Sequence, residues 1–108
     1  MGRTKLGEFE QLVLLACLRL EGRAYTVAVL EELEAAGRTA SHAAVYIALQ
    51  RLEEKGLVEV RRGDSRTERG GRPKRLYTVL PEAKKLLADY RQTYLSMWDG
   101  LEPAGGAR

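Results

Sequence analysis

Cysteine, histidine, tryptophan and phenylalanine each occur once in this chain of 108 residues. That scarcity narrows the chemistry open to it. Cys17 has no second thiol for an internal disulfide and lies in the apolar run LVLLACLRL, where a free cysteine packs as a small hydrophobe. With His42 and Cys17 the only members of their kinds, no paired metal ligands stand out, and no nucleophile sits beside a base and an orienting group. The glycines of GGRPK lack the strand-to-helix setting of a phosphate-binding loop. Catalysis is therefore not expected, nor is a cofactor or a metal. Long hydrophobic runs are missing as well, since charges interrupt every apolar stretch well short of the ~18 residues that a membrane helix requires. MGRTKLGEFE has neither the apolar core nor the cleavage site of a secretory leader, so a cytoplasmic protein without membrane association is expected.

What the chain does have is the balance of an ordinary globular domain, 44% hydrophobic and 31% charged, at a length that supports one compact core. Its charge is unevenly spread. Arg61, Arg62, Arg66, Arg69, Arg72, Lys74 and Arg75 against Asp64 and Glu68 give residues 61–75 a net +5, whereas the rest of the chain sums to −2. A basic segment on a mildly acidic body suits a polyanion partner, and a solvated loop can have the same composition.

Periodicity predicts four helices and two strands. From Gly7 to Glu21 apolar residues cover more than one stripe, Phe9, Leu12 to Leu18 and Leu20, so one side should face the chain's own core and the remainder another subunit. Gly22 ends this helix. Thr26 is the expected cap of the second, in which Val27, Leu30, Leu33 and Glu34 follow helical spacing before Gly37. Ser41 is the natural cap of a third, with Val45, Ala48, Leu49 and Leu52 on its apolar face and His42, Ala43, Tyr46, Ile47 and Gln50 opposite, ending at Gly56. Leu57 to Val60 and Arg75 to Leu80 read as strands of an antiparallel hairpin with a basic, glycine-containing tip. Pro81 suits the first turn of a last helix, from about Glu82 to about Gly100, where Ala83, Leu87, Tyr90, Tyr94, Met97, Trp98 and Leu101 step by three and four like a pairing seam. Residues 103–108 are expected to be disordered.

Three helices followed by a hairpin make a winged helix-turn-helix, a mainly α fold with a small two-stranded β-wing, here continued by a C-terminal dimerisation helix. The expected division is 1–80 for the DNA-binding domain, 81–102 for the dimerisation helix and 103–108 for the tail. In such a fold the third helix enters the major groove and the wing reaches the adjacent backbone or minor groove of double-stranded DNA. Ser41, His42 and Tyr46 stand where a phosphate meets the amides of the helix N-terminus, while His42, Gln50 and Arg51 are suited to base edges, with Arg51 alternatively a partner for Glu54. Arg66, Arg69, Arg72, Lys74 and Arg75 are the wing's phosphate contacts. A homodimer is expected to join through Phe9, Leu12, Leu87, Tyr90, Tyr94 and Trp98.

The segments LGEFEQLVLLACLRL, AVYIALQRLEEKGLV and ERGGRPKRLYTVLPEA together resemble the PadR family of bacterial transcriptional regulators, in particular its short members with one C-terminal helix. The resemblance spans residues 6–102, and its most specific part is Tyr46, Leu49, Arg51, Leu52, Glu53, Gly56 and Leu57, followed by Arg72, Lys74, Arg75 and Tyr77. It implies operator binding by a homodimer whose last helix supplies much of the contact. It also implies a small aromatic ligand at the dimer centre, near Tyr94 and Trp98, with anchoring of the dimer itself the favoured role of Trp98. Two departures stand out. Ala43-Ala44 replaces a common Gly-Thr pair and removes a hydroxyl, and Leu80 replaces a capping Thr, leaving Pro81 and Glu82 to offset the loss. The resulting expectation is a sequence-specific regulator, a repressor on a two-fold symmetric operator. The rival is a winged helix serving only as a protein-interaction module, for which a +5 loop has little use.

Overall fold

A computed structural model of the chain describes residues 4–62 and 75–101. The expected hairpin tip, with Arg66, Arg69, Arg72 and Lys74, and the expected tail both lie outside the described residues. The elements follow in the order α1 (Glu8–Leu20), α2 (Thr26–Ala35), α3 (His42–Glu54), β1 (Val58–Arg62), β2 (Arg75–Val79) and α4 (Pro81–Trp98).

α1 organises the rest. Glu8 and Glu10 place negative charge at its N-terminus, and the Glu10 carboxylate turns back to accept from the Gly7 amide at 3.0 Å. Its apolar excess is used on several sides at once: Val13, Leu14, Ala16, Cys17 and Leu20 are buried, and the helix packs on α2, α3 and β2. Burial pushes the Cys17 thiol up to about 12, so it stays protonated and unreactive at neutral pH. The helix closes with Glu21 and Gly22 both at positive φ, 37° and 85°, so the reversal begins one residue before the glycine expected to make it.

α2 departs from expectation in two details. Its cap position is Tyr25, and Thr26 is already helical, with no side-chain hydrogen bond to the first turn. Of the expected stripe Leu33 is buried and Leu30 half-buried, but Val27 is 45% exposed, and Ala28 and Val29 are buried instead. The helix packs on both α1 and α3, so its buried face is wider than one stripe and takes in the small Ala28 and the β-branched Val29. α3 follows its pattern: Ser41 Oγ accepts from the Ala44 amide at 3.0 Å, and Val45, Ala48, Leu49 and Leu52 are buried.

The hairpin is antiparallel, with Val58 opposite Val79, Val60 opposite Tyr77, and Arg62 opposite Arg75. Alternation sends Val58, Tyr77 and Val79 into the core. The free edge of β2 is held too, because the Tyr77 amide donates to the Ala24 carbonyl at 2.8 Å, and Leu80 donates to Leu57 at 3.0 Å across the hairpin base. α4 begins at Pro81 without a side-chain cap, as Leu80 implies. Only its first half is packed: Ala83 and Leu87 are buried and the Tyr90 hydroxyl accepts from the Leu6 amide at 3.0 Å, whereas every residue from Arg91 to Gly100 is exposed.

Two polar features of this frame are open to measurement. The Tyr77 hydroxyl is buried without a hydrogen bond of good geometry, and burial raises its ionisation above the ordinary value although the Arg75 guanidinium lies near enough to oppose the rise by its charge and a weak contact. Tyr77→Phe removes an unsatisfied group while keeping the ring, so denaturant unfolding should show unchanged or higher stability, by up to about 1 kcal/mol; a loss of that size would mean the hydroxyl has a partner. Glu10 receives Lys55 Nζ at 2.7 Å, and although burial alone would raise its carboxyl, the Lys55 and Gly7 hydrogen bonds hold it below the ordinary 4.5. A carboxyl lowered in the folded state stabilises fully above its unfolded value and less as pH falls through the folded one. Glu10→Gln should therefore cost stability at pH 7, with the gap to wild type closing as unfolding is repeated at progressively acid pH.

Candidate nucleic-acid interface

Because α3 buries Val45, Ala48, Leu49 and Leu52, the residues His42, Tyr46 and Gln50 form a stripe along its outer edge, one turn apart. His42 and Gln50 are exposed and Tyr46 is half-buried. Ser41 is exposed at the head of the same stripe, with its oxygen engaged by the Ala44 amide, so the orphan donors of the first turn are those of His42 and Ala43. These amides and the partial positive charge of the helix end face solvent where an anion can approach.

β2 meets this stripe from the side. Tyr77 and Val79 point inward, and two residues earlier Arg75 lies on the same face but beyond the core, over α3. Its Nη1 donates to the Tyr46 hydroxyl at 3.2 Å, and Gln50 Nε2 donates to the same oxygen at 3.4 Å. One hydroxyl thus joins the third helix to the wing. Arg62, outside the set expected from the sequence, lies directly across the hairpin from Arg75. The signal that finds it is strand register: positions 58, 60 and 62 share a face with 79, 77 and 75.

Arg51 is separated from this group. It lies on the other edge of α3, where Ile47, 48% exposed, and Lys55 border a groove against the start of α1, and its charge helps to lower Glu10. The stripe and the wing strand therefore bring together Ser41, His42, Tyr46, Gln50 and Arg75, while Arg51 faces α1. Arg66, Arg69, Arg72 and Lys74 lie outside the described residues.

The residues expected at a subunit contact divide similarly. Leu87 belongs to the chain's own core, and Phe9, Leu12 and Tyr90 are half-buried against it. Tyr94 and Trp98 are each 51% exposed, in company with Leu95, Met97 and Leu101. A groove of about 490 Å³ between α1 and α4, lined by Leu15, Leu18, Leu87, Tyr94 and Leu95, continues this apolar surface. Among the described residues no group of three or more His, Cys, Asp or Glu could hold a metal ion, and no helix is long and apolar enough to cross a membrane.

Comparison with known proteins agrees with this arrangement. The sequence model of the transcriptional regulator PadR-like family matches residues 14–89. Among solved structures, a PadR family transcriptional regulator from Eggerthella lenta is similar at 24% identity over 87% of this chain and 82% of that one, with a TM-score of 0.67. RosR of H. salinarum is similar at 26% identity over 89% and 80%, with a TM-score of 0.68. Bacillus subtilis PadR in complex with operator DNA is similar at 20% identity over 76% of this chain and 46% of that one, with a TM-score of 0.62. No curated protein matches the chain in sequence. With the family pattern running from within α1 into α4, the chain belongs to the PadR-like family of transcriptional regulators.

Proposed function

We propose that this protein is a homodimeric, sequence-specific DNA-binding regulator, a cytoplasmic repressor that occupies a two-fold symmetric operator. The observation that carries the reading is the outward stripe of α3 joined to the wing through Arg75 and Tyr46, which aims one helix edge and one basic hairpin at the same side of the molecule. On this reading α3 lies in the major groove, the amides of His42 and Ala43 meet a phosphate, and His42 and Gln50 reach base edges. The wing arginines and Lys74 neutralise backbone charge. Repression by occupancy requires only this surface.

The homodimer reading rests on the apolar second half of α4. Tyr94, Leu95, Met97, Trp98 and Leu101 are exposed together beside Leu15, a larger apolar surface than a small monomer ordinarily leaves in water. A partner copy covering it would set two α3 helices at a fixed separation, with half-sites about one helical turn, ~34 Å, apart or at a multiple of it. The α1–α4 groove also favours a second role, in which a small planar aromatic molecule binds near Tyr94 and Trp98 and changes that separation.

Duplexes selected by the full chain from a random pool should converge on an inverted repeat; a pool that never enriches would end the operator reading. Replacing Arg72 and Lys74 together by alanine should weaken specific and non-specific duplexes alike, with the log-log salt slope falling by roughly one unit for each lost phosphate contact. Trp98 is the only tryptophan, so a planar aromatic compound that binds as described should quench its fluorescence saturably. Linear, non-saturating quenching across a set of such compounds would remove the effector role and leave Trp98 as an interface anchor.

A further inference from the structure

The register of the hairpin sets two arginines against each other. Arg62 and Arg75 are direct cross-strand partners on the face that, further along, buries Val58, Tyr77 and Val79. Like charges directly opposite on a sheet repel, and a carboxylate between them is the usual remedy. Among the described residues neither arginine forms an ion pair. Glu53 is close enough for its charge to be felt at Tyr77. The third member of the cluster is the Tyr46 hydroxyl. Its oxygen already accepts from Arg75 at 3.2 Å and from Gln50 at 3.4 Å, so what it has left to offer is its proton. Arg75 uses one of its five N–H groups on that oxygen and has others besides. The Arg75 guanidinium and the Tyr46 hydroxyl thus meet at the junction of helix and wing, and Arg62 stands opposite Arg75 on the same face of the hairpin.

We propose that Arg62, Arg75 and the Tyr46 hydroxyl form one seat for a single phosphate of the DNA backbone, with Gln50 a positioning residue that holds the Tyr46 oxygen. The inference rests on the DNA-binding reading above and adds Arg62 to it. A phosphate oxygen is acceptor-only, planar donor forks match it, and its negative charge relieves the repulsion between the paired arginines. The seat also fixes register: a phosphate bound there lies against α3 and the wing at once, so helix and hairpin engage the duplex as a unit.

One shared phosphate has a signature that two separate contacts lack. In titrations of a non-specific duplex by the full chain across a range of salt, Arg62→Met and Arg75→Met should each leave the log-log slope nearly unchanged, because the other guanidinium still neutralises the phosphate. The double variant should lower the slope by about 0.9 for each protomer bound, because only then is the phosphate lost. Affinity at fixed salt should drop roughly tenfold in each. Tyr46→Phe should weaken binding while leaving the slope unchanged, since it removes a hydrogen bond and no charge. Methionine keeps the stem packing, and Arg62→Met should melt at or above the wild-type temperature, because it removes a like-charge pair. A slope loss of about 0.9 in each single variant, adding in the double one, would mean two independent contacts and overturn the seat. So would an unchanged slope in the double variant, or a lowered melting temperature accompanying the loss of binding in Arg62→Met. If the wild-type chain binds no duplex at any salt, the DNA-binding reading fails first, and the two failures are distinguishable because no slope then exists to compare.

Discussion

The packing of β2 against the helices is the constraint on which the interface depends. Tyr77 and Val79 are buried in the same core as Leu14, Leu49 and Leu52, and the Tyr77 amide is tied to the Ala24 carbonyl at the turn between α1 and α2. The base of the wing is therefore part of the hydrophobic core. Alternation then sets the facing of the rest of the strand: if positions 77 and 79 face inward, position 75 must lie on the same face, and at the end of the strand that face looks onto the exposed edge of α3. The bond from Arg75 to Tyr46 is a consequence of core packing two and four residues away.

Burial also explains how the molecule combines a firm frame with a functional surface. Val13, Leu14, Val29, Val45, Leu49 and Leu52 are fully enclosed, each such side chain stabilising the fold by about 1.5–3 kcal/mol relative to exposure. The polar contacts elsewhere on the frame, Arg19 with Glu32 and Arg38 with Glu8, are exposed pairs that contribute little to stability. Apart from Glu10, which holds Lys55 and the Gly7 amide, charge thus has little structural duty. The cross-strand arginines run against local stability, and the buried Tyr77 hydroxyl, two residues from Arg75 on the same face, has no hydrogen bond of good geometry. Two unfavourable features concentrated at one junction of helix and wing fit a surface shaped for binding more than for folding.

Much of the fold was legible because its signals are local. The Ser41 cap, the apolar face of α3, Pro81 at the head of α4 and the β-rich RLYTV each act within one element, and each stands where its residues imply. Thr26 and Val27 were misleading for the opposite reason. Cap preference and spacing favour them weakly, and packing of α2 on both α1 and α3 buries Ala28 and Val29 instead. At the site, Tyr46, Ile47 and Gln50 were legible as lying opposite the apolar face of α3, though Ile47 borders the groove beside Arg51. Arg62 did not stand out, because a count of charge says nothing of facing, and facing comes only from the pairing of residues 58 to 62 with 79 to 75. Arg51 shows the same limit from the other side: its proximity in sequence to Gln50 places it on the opposite edge of α3, beside Glu10 and Lys55, a pair 45 residues apart that no local pattern foretells.

Specificity is where the proposed reading departs from a simple recognition-helix picture. Ala43 and Ala44 follow His42 on α3, so the first turn offers backbone amides and one imidazole, and Gln50 shares its amide with Tyr46. Few side chains remain to distinguish one base pair from another. A surface rich in phosphate donors and poor in base-reading groups gains selectivity from the shape and deformability of the duplex and from the distance between two copies of α3. That distance would be set by the apolar half of α4, more than 30 residues further along the chain than Gln50. On this reading the selectivity of the α3 stripe is decided at the other end of the molecule, and any ligand that changes how α4 pairs acts on DNA recognition without touching a residue that meets DNA.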